Sequence, residues 1–271
     1  MYHFFASAKK WYTNPVPPVP KNLPYLEQEV TMQAAERIII ALDTDAEQAR
    51  VLAEQLKGKA HWLKVGMTLY YSAGPAIVQE FKSMGYKVFV DLKLHDIPHQ
   101  VRGAARSVTL AGADMLTVHA AGGMDMMQAA CQGAEEGAAG FSSADKRPIC
   151  LAITVLTSLD ASALESVGIK ASLATQALKL AQLAKEAGMD GIVCSPQETA
   201  AIRSQAGTGF VLVTPGVRPL GSELGDQARI ATPAHALKAG ADYLVIGRPI
   251  TEAADPCAAF ESIVKEIQND R

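Results

Sequence analysis

The segment Val-Asp-Leu-Lys-Leu-His-Asp-Ile-Pro, residues 90–98, holds the densest arrangement of reactive side chains in the sequence. Side chains two apart on a strand share a face, so Asp91 and Lys93 point together. Asp96 follows three residues later, where Pro98 helps to end the strand. Acid, base and acid in so short a stretch suit proton transfer or the stabilisation of developing charge. Carboxylates on both sides favour the charged form of a lysine between them. A buried ion pair closing the fold would use the same residues, and spacing alone leaves both readings open. A metal pair from His95 and His99 is disfavoured, because Pro98 spoils a regular helical turn between them.

These residues need a scaffold, and the surrounding sequence supplies a recurring one. Short apolar runs at 37–43, 61–66, 87–93, 114–120, 148–156, 190–195, 210–216 and 242–247 read as strands. They are rich in Val, Ile and Leu and nearly continuous, as parallel strands covered by helices are. Between them lie amphipathic stretches such as 45–58 and 172–188, and Gly85, Gly112, Gly188 and Gly240 stand where helices should end. Eight alternating units point to an α/β fold of the closed (β/α)8 TIM-barrel type, a single domain over 37–271. An open doubly wound sheet is the alternative. The first strand–helix turn, Leu-Asp-Thr-Asp-Ala-Glu-Gln, lacks the glycine pattern of a dinucleotide site. In a barrel the chemistry belongs at the C-terminal strand ends, where Asp43, Asp91, Lys93, His119, Thr157, Ser195, Arg218 and Arg248 all fall.

Composition narrows the partners. A net charge of −3 gives no polyanion-binding signature, so no nucleic acid is expected. No apolar run approaches the roughly 18–20 residues needed to span a bilayer, so no membrane partner is expected either. Cys131, Cys150, Cys194 and Cys257 are far apart with no C-x-x-C pair, which fits reduced thiols in a cytoplasmic setting. Residues 1–36 carry Pro15, Pro17, Pro18, Pro20 and Pro24 and lack the apolar core of a secretory signal. They are expected to form a poorly ordered extension outside the barrel.

The chain resembles the orotidine 5′-phosphate decarboxylase family from residue 37 to about 268. The segment 91–98 matches that family's D-x-K-x-x-D-I-P signature. It is flanked in order by IIALD (39–43), WLKVG (62–66), TVHAAGG (117–123), TVLTS (154–158), TPGVRP (214–219), GDQARIATP (225–233) and DYLVIGRPIT (242–251). One departure stands out: His99-Gln100 follows Asp-Ile-Pro where the family usually has Asn-Thr.

The resemblance implies decarboxylation of orotidine 5′-phosphate to UMP without cofactor or metal. It implies a homodimer in which Asp96 and Ile97 reach the partner's site. Asp91, Lys93 and Asp96 match the family's charged catalytic array. Asp43 and Lys64 match ribose-binding positions, and Thr157 a hydroxyl that contacts the pyrimidine. Arg218, Gln227, Gly247 and Arg248 match the phosphate-gripping loops. The barrel itself supports that last assignment, since the loops after strands seven and eight frequently bind phosphate. Segments 158–172 and 216–232 are long enough to act as lids. A magnesium-dependent relative acting on sugar phosphates shares D-x-K-x-x-D, but tends to lack Ile-Pro after it and the PGVRP loop. A barrel that binds a nucleotide without turning it over is the non-enzymatic alternative.

Overall fold

A computed structural model of the chain describes residues 34–140, 147–219 and 231–270. All eight strands expected from the sequence form: β1 (Ile38–Leu42), β2 (Trp62–Gly66), β3 (Lys87–Leu94), β4 (Met115–His119), β5 (Ile149–Ile153), β6 (Gly191–Val193), β7 (Val211–Thr214) and β8 (Tyr243–Ile246). They run parallel in chain order, and β8 pairs with β1 to close the barrel. The helices are α1 (Ala46–Leu56), α2 (Met67–Ala73), α3 (Ala76–Ser83), α4 (Pro98–Leu110), α5 (Met124–Ala138), α6 (Ala161–Ser166), α7 (Leu173–Glu186), α8 (Pro196–Ala206), α9 (Pro233–Lys238), α10 (Arg248–Thr251) and α11 (Pro256–Asn269). The fold is therefore a (β/α)8 barrel rather than an open sheet.

Strand alternation divides the apolar side chains into two cores. Ile39, Trp62, Phe89, Met115, Leu151 and Val213 turn inward and fill the barrel, while their strand neighbours pack outward against the helices. Each fully buried large side chain contributes about 1.5–3 kcal/mol, so the interior is a packed plug and not a pore. The next inward positions lie one layer higher, at the C-terminal ends, and there the sequence turns polar with Lys64, Asp91 and Thr117. Outside the strands, Ala34 and Ala35 are buried in the outer core, so three residues counted in the expected extension, 34–36, include two that pack on the barrel. The remainder of the expected extension lies outside the described residues.

Helix ends follow local chemistry. Asp45 accepts the Gln48 N–H (2.9 Å) to cap α1, and Ser172 does the same for the Thr175 N–H (3.2 Å) at α7. Gly188 and Gly240 take the left-handed φ values of 81° and 104° just past α7 and α9, which lets the chain turn directly into the next strand.

The N-terminal end of the barrel repeats one device that the sequence reading does not anticipate. Asp114, Asp190 and Asp242 each stand immediately before an even-numbered strand and accept a backbone N–H from the preceding odd strand. The donors are Val88, Cys150 and Leu212, at 2.7, 2.8 and 2.8 Å. Each carboxylate is also paired with a cation, Lys82, Arg147 or Arg203. The three carboxylates thus tie neighbouring strands together at the end of the barrel opposite the strands' C-terminal ends.

Candidate active site

A cleft of about 760 Å³ opens at the C-terminal ends of the strands. Its lining includes Asp43, Lys64, Asp91, Lys93, Thr157, Arg218, Gly247 and Arg248, eight of the residues singled out from the sequence. Phe89, Ile153, Val193 and Val245 line it as well; Phe89 belongs to the inner core, and Val193 and Val245 pack on it.

Charges alternate along one wall. Lys64 Nζ donates to Asp43 Oδ1 (2.8 Å) and lies 3.6 Å from Asp91 Oδ2. Lys93 Nζ donates to the same Asp91 Oδ2 at 2.7 Å. The other Asp91 oxygen, Oδ1, accepts the Thr117 hydroxyl (2.9 Å). Burial pushes the Asp91 carboxyl upward and is the largest single influence. The two ammonium groups and the hydrogen bonds from Lys93 and Thr117 together outweigh it and hold the pKa below the usual aspartate value. Asp91 is therefore a buried carboxylate kept charged by its neighbours.

Gly66, at the end of β2, makes this wall possible. A Cβ there would stand 2.8 Å from Asp43 Oδ1 and 3.0 Å from Lys64 Nζ, so a side chain would intrude on the ion pair. Lys93 is held in a less ordinary way. Its φ is 53°, and among the described residues it is the one non-glycine residue with positive φ. The left-handed conformation costs an L-residue about 1–2 kcal/mol. It arises because β3 leaves its ladder: Val90 pairs with Leu116, but Leu94 pairs with Val118. Asp91, Leu92 and Lys93 thus stand opposite Thr117 alone, and the Lys93 N–H donates to Thr117 Oγ1 (2.9 Å).

Across the cleft, Arg218 is buried, donates to Val217 O (3.0 Å) and sits where Val217 bridges Ala231. Arg218 N donates to Ala231 O (2.9 Å), which pins the two ends of the loop after β7. Gly247 and Arg248 begin α10, which is only four residues long. Anion attraction on this side therefore rests on the two guanidinium groups more than on a helix dipole. Gln227 lies outside the described residues, as does most of the expected lid 216–232. The expected lid 158–172 contains the short helix α6.

Other expectations separate from this cleft. Asp96 and Ile97 are exposed and do not line it; Asp96 Oδ1 accepts the Ile97 N–H (2.6 Å), and Ile97 leads into α4. Gln100 is also exposed, its N–H donating to Ile97 O (3.0 Å) in the first turn of α4. Two strand-end residues expected at the mouth are not in the lining. Ser195 is fully buried and caps α8, because β6 ends at Val193 and the strand alternation stops before it. His119 stacks beside His95 with ring centroids 5.4 Å apart; burial, then His95 and Lys93, lower its pKa and favour the neutral ring. Cys194 does line the cleft, but burial raises its thiol to about 12, so it is no thiolate nucleophile.

The sequence reading misses Thr117 and Gly66. Thr117 lies two residues before His119 on a strand, so period-two alternation places it on the inward face beside Asp91, a signal available from the residues alone. Among the described residues, no group of three or more His, Cys, Asp or Glu side chains is placed to hold a metal ion. No helix there is long and apolar enough to cross a membrane.

Comparison with known proteins gives a consistent picture. Residues 36–263 match the family model described as Orotidine 5′-phosphate decarboxylase / HUMPS family. An orotidine 5′-phosphate decarboxylase of Moorella thermoacetica is 50% identical over 249 residues, covering 91% of this chain and 98% of that protein. One from Pseudoalteromonas translucida is 46% identical over 237 residues, covering 87% and 99%. The crystal structure of orotidine 5′-phosphate decarboxylase from Lactobacillus acidophilus superposes with a TM-score of 0.76 at 38% identity, over 86% of this chain and 99% of that one.

Proposed function

The chain belongs to the orotidine 5′-phosphate decarboxylase / HUMPS family, and from that membership we propose that it converts orotidine 5′-phosphate to UMP and carbon dioxide, the last step of UMP synthesis. The observation that carries the reading is the Asp43–Lys64–Asp91–Lys93 array facing two arginines across one cleft. In this reading Arg218, Arg248, Gly247 and Gln227 hold the phosphate. Asp43 and Lys64 hold the ribose hydroxyls, and Thr157 meets the pyrimidine.

The chemistry follows from where the charges stand. Breaking the bond between ring carbon six and the carboxylate leaves an electron pair on that carbon, with no adjacent carbonyl to accept it. Lys93 supplies a fixed ammonium beside the developing carbanion and donates a proton to it as carbon dioxide departs. Solvent then returns a proton to the amine. Asp91 sits close to the substrate carboxylate, and two such charges about 4 Å apart repel by roughly 4 kcal/mol at an effective dielectric near 20. Enzymes remove roughly 8–23 kcal/mol from barriers, so repulsion is the smaller effect and preorganised charge the larger. The array needs no cofactor for this role.

A homodimer completes the proposal, with Asp96 and Ile97 entering the partner's cleft. Ile97 is 63% exposed, and Tyr71 and Met67 on the neighbouring α2 are 74% and 48% exposed, an apolar surface at the ends of adjacent strands β2 and β3. Mixing Lys93→Ala with Asp96→Ala protein should restore turnover that neither has alone; no complementation would place Asp96 outside the partner's site. Four free cysteines, three of them buried, support a reducing, cytoplasmic setting.

The primary test is the loss of orotidine 5′-phosphate ultraviolet absorbance with purified protein in excess EDTA, beside Lys93→Ala. Turnover by wild type alone supports the reaction, its metal independence and the lysine together. Absence of turnover by a folded protein that still binds UMP would replace this reading with the nucleotide binder. Activity on a sugar phosphate that EDTA abolishes would replace it with the magnesium-dependent relative.

A further inference from the structure

We infer that Thr117 is a positioning residue for the reaction, a single hydroxyl that locks the backbone of Lys93 and the carboxylate of Asp91 into one unit. The inference rests on the decarboxylase reading for its kinetic arm and on geometry alone for its structural arm.

Thr117 is 1% exposed and sits inward on β4. Its Oγ1 donates to Asp91 Oδ1 at 2.9 Å and accepts the Lys93 N–H at 2.9 Å. A threonine hydroxyl has one hydrogen to give and lone pairs to receive, so both bonds form at once and fix the direction of the hydrogen. The accepting bond matters because of the register. Three residues of β3 stand opposite Thr117, so the Lys93 amide has left the regular ladder and needs another acceptor. Without it, the left-handed turn that aims the lysine would hold a donor without its partner.

The donating bond orients the carboxylate. With Oδ1 tied to Thr117, Oδ2 faces Lys93 at 2.7 Å and Lys64 at 3.6 Å. Loss of the hydroxyl frees the carboxylate to rotate and the bulge to relax. Both ends of the Asp91–Lys93 pair then lose the orientation that electrostatic stabilisation requires. Thr117 bonds two residues of the cleft wall but does not itself line the cleft, so it acts behind them and not on the substrate. Its effect should appear in kcat and not in substrate affinity.

The test compares wild type with Thr117→Val, which keeps the shape and removes the hydroxyl, and Thr117→Ser, which restores it. Thr117→Ala serves if the valine variant does not fold. Thr117→Val should lower kcat about tenfold to a hundredfold, with KM changed by less than about threefold, and Thr117→Ser should recover most of the loss. Hydrogen exchange at the Lys93 amide should be at least about tenfold faster in the valine variant. A folded Thr117→Val with wild-type kcat, or a serine variant no better than valine, would overturn the inference. If wild type shows no turnover, the decarboxylase reading fails, and an unchanged Lys93 amide exchange rate would separately overturn the positioning role.

Discussion

Lys93 Nζ stands 2.7 Å from Asp91 Oδ2 across a backbone that has left its ladder, with φ of 53° at the lysine itself. The ammonium is aimed by a strained turn. Replacing Lys93 by Ala or by Gly removes the same charge, but only Gly relieves the left-handed strain. Both variants should lose nearly all turnover while still binding UMP. Lys93→Gly should be more stable than Lys93→Ala by about 1 kcal/mol in urea unfolding. Equal stabilities would mean that the turn carries no strain.

Gly66 leaves room for the Asp43–Lys64 pair. Gly66→Ala places a methyl against the terminal atoms of two side chains and not against backbone, so stability should change by less than about 1 kcal/mol. Catalysis should suffer more, by about tenfold to a hundredfold in kcat/KM, if the displaced groups belong to the reacting array as proposed. Steady-state kinetics beside a thermal melt separates the two; a large loss of stability with intact kinetics would contradict the assignment.

The depressed pKa of Asp91 has a sign that unfolding experiments can read. Its folded value lies below the unfolded one, so its charge contributes stability in full above the ordinary aspartate value of about 3.9. That contribution is lost as pH falls through the depressed value. The stability advantage of wild type over Asp91→Asn should hold at neutral pH and shrink below about pH 4. An advantage that grew on acidification would show that burial outweighs the two lysines.

The loop bearing Asp96 is anchored by α4, which packs closely on α5. A Cβ at Gly133 would overlap the Arg102 carbonyl oxygen, whereas one at Gly103, on the same α4, meets nothing within 4 Å. Gly103→Ala should therefore stabilise by up to about 1 kcal/mol through helix propensity. Gly133→Ala should destabilise by about 1–3 kcal/mol, because the backbone clash outweighs the same gain. Opposite shifts in Tm are the expected result, and parallel shifts would refute the close packing.

Much of the molecule is legible in the residues. Apolar runs bounded by glycine and polar turns place all eight strands, because a parallel strand covered on both faces must be apolar almost throughout. The limits of that signal show in β5, expected at 148–156 but ending at Ile153. Thr154 Oγ1 bonds Val193 O at 3.0 Å, and Val155, Leu156 and Thr157 turn over the cleft instead of extending the ladder. Apolar residue type marks a strand only where the ladder continues; here Val155 is buried like a strand residue although it lies past the strand end, while Leu156 is exposed.

The sequence by itself determined the eight strand–helix units and the shared face of Asp91 and Lys93, since each depends on local periodicity and residue type, whereas closure of β8 on β1 chose the barrel over an open sheet. Only the tertiary structure decided that Thr117 joins that pair, that Gly66 makes room for another, and that Asp114, Asp190 and Asp242 clamp the opposite end. These relationships join residues 21–40 positions apart. Their geometry depends on strand register and on a bulge, which close only when the whole barrel does.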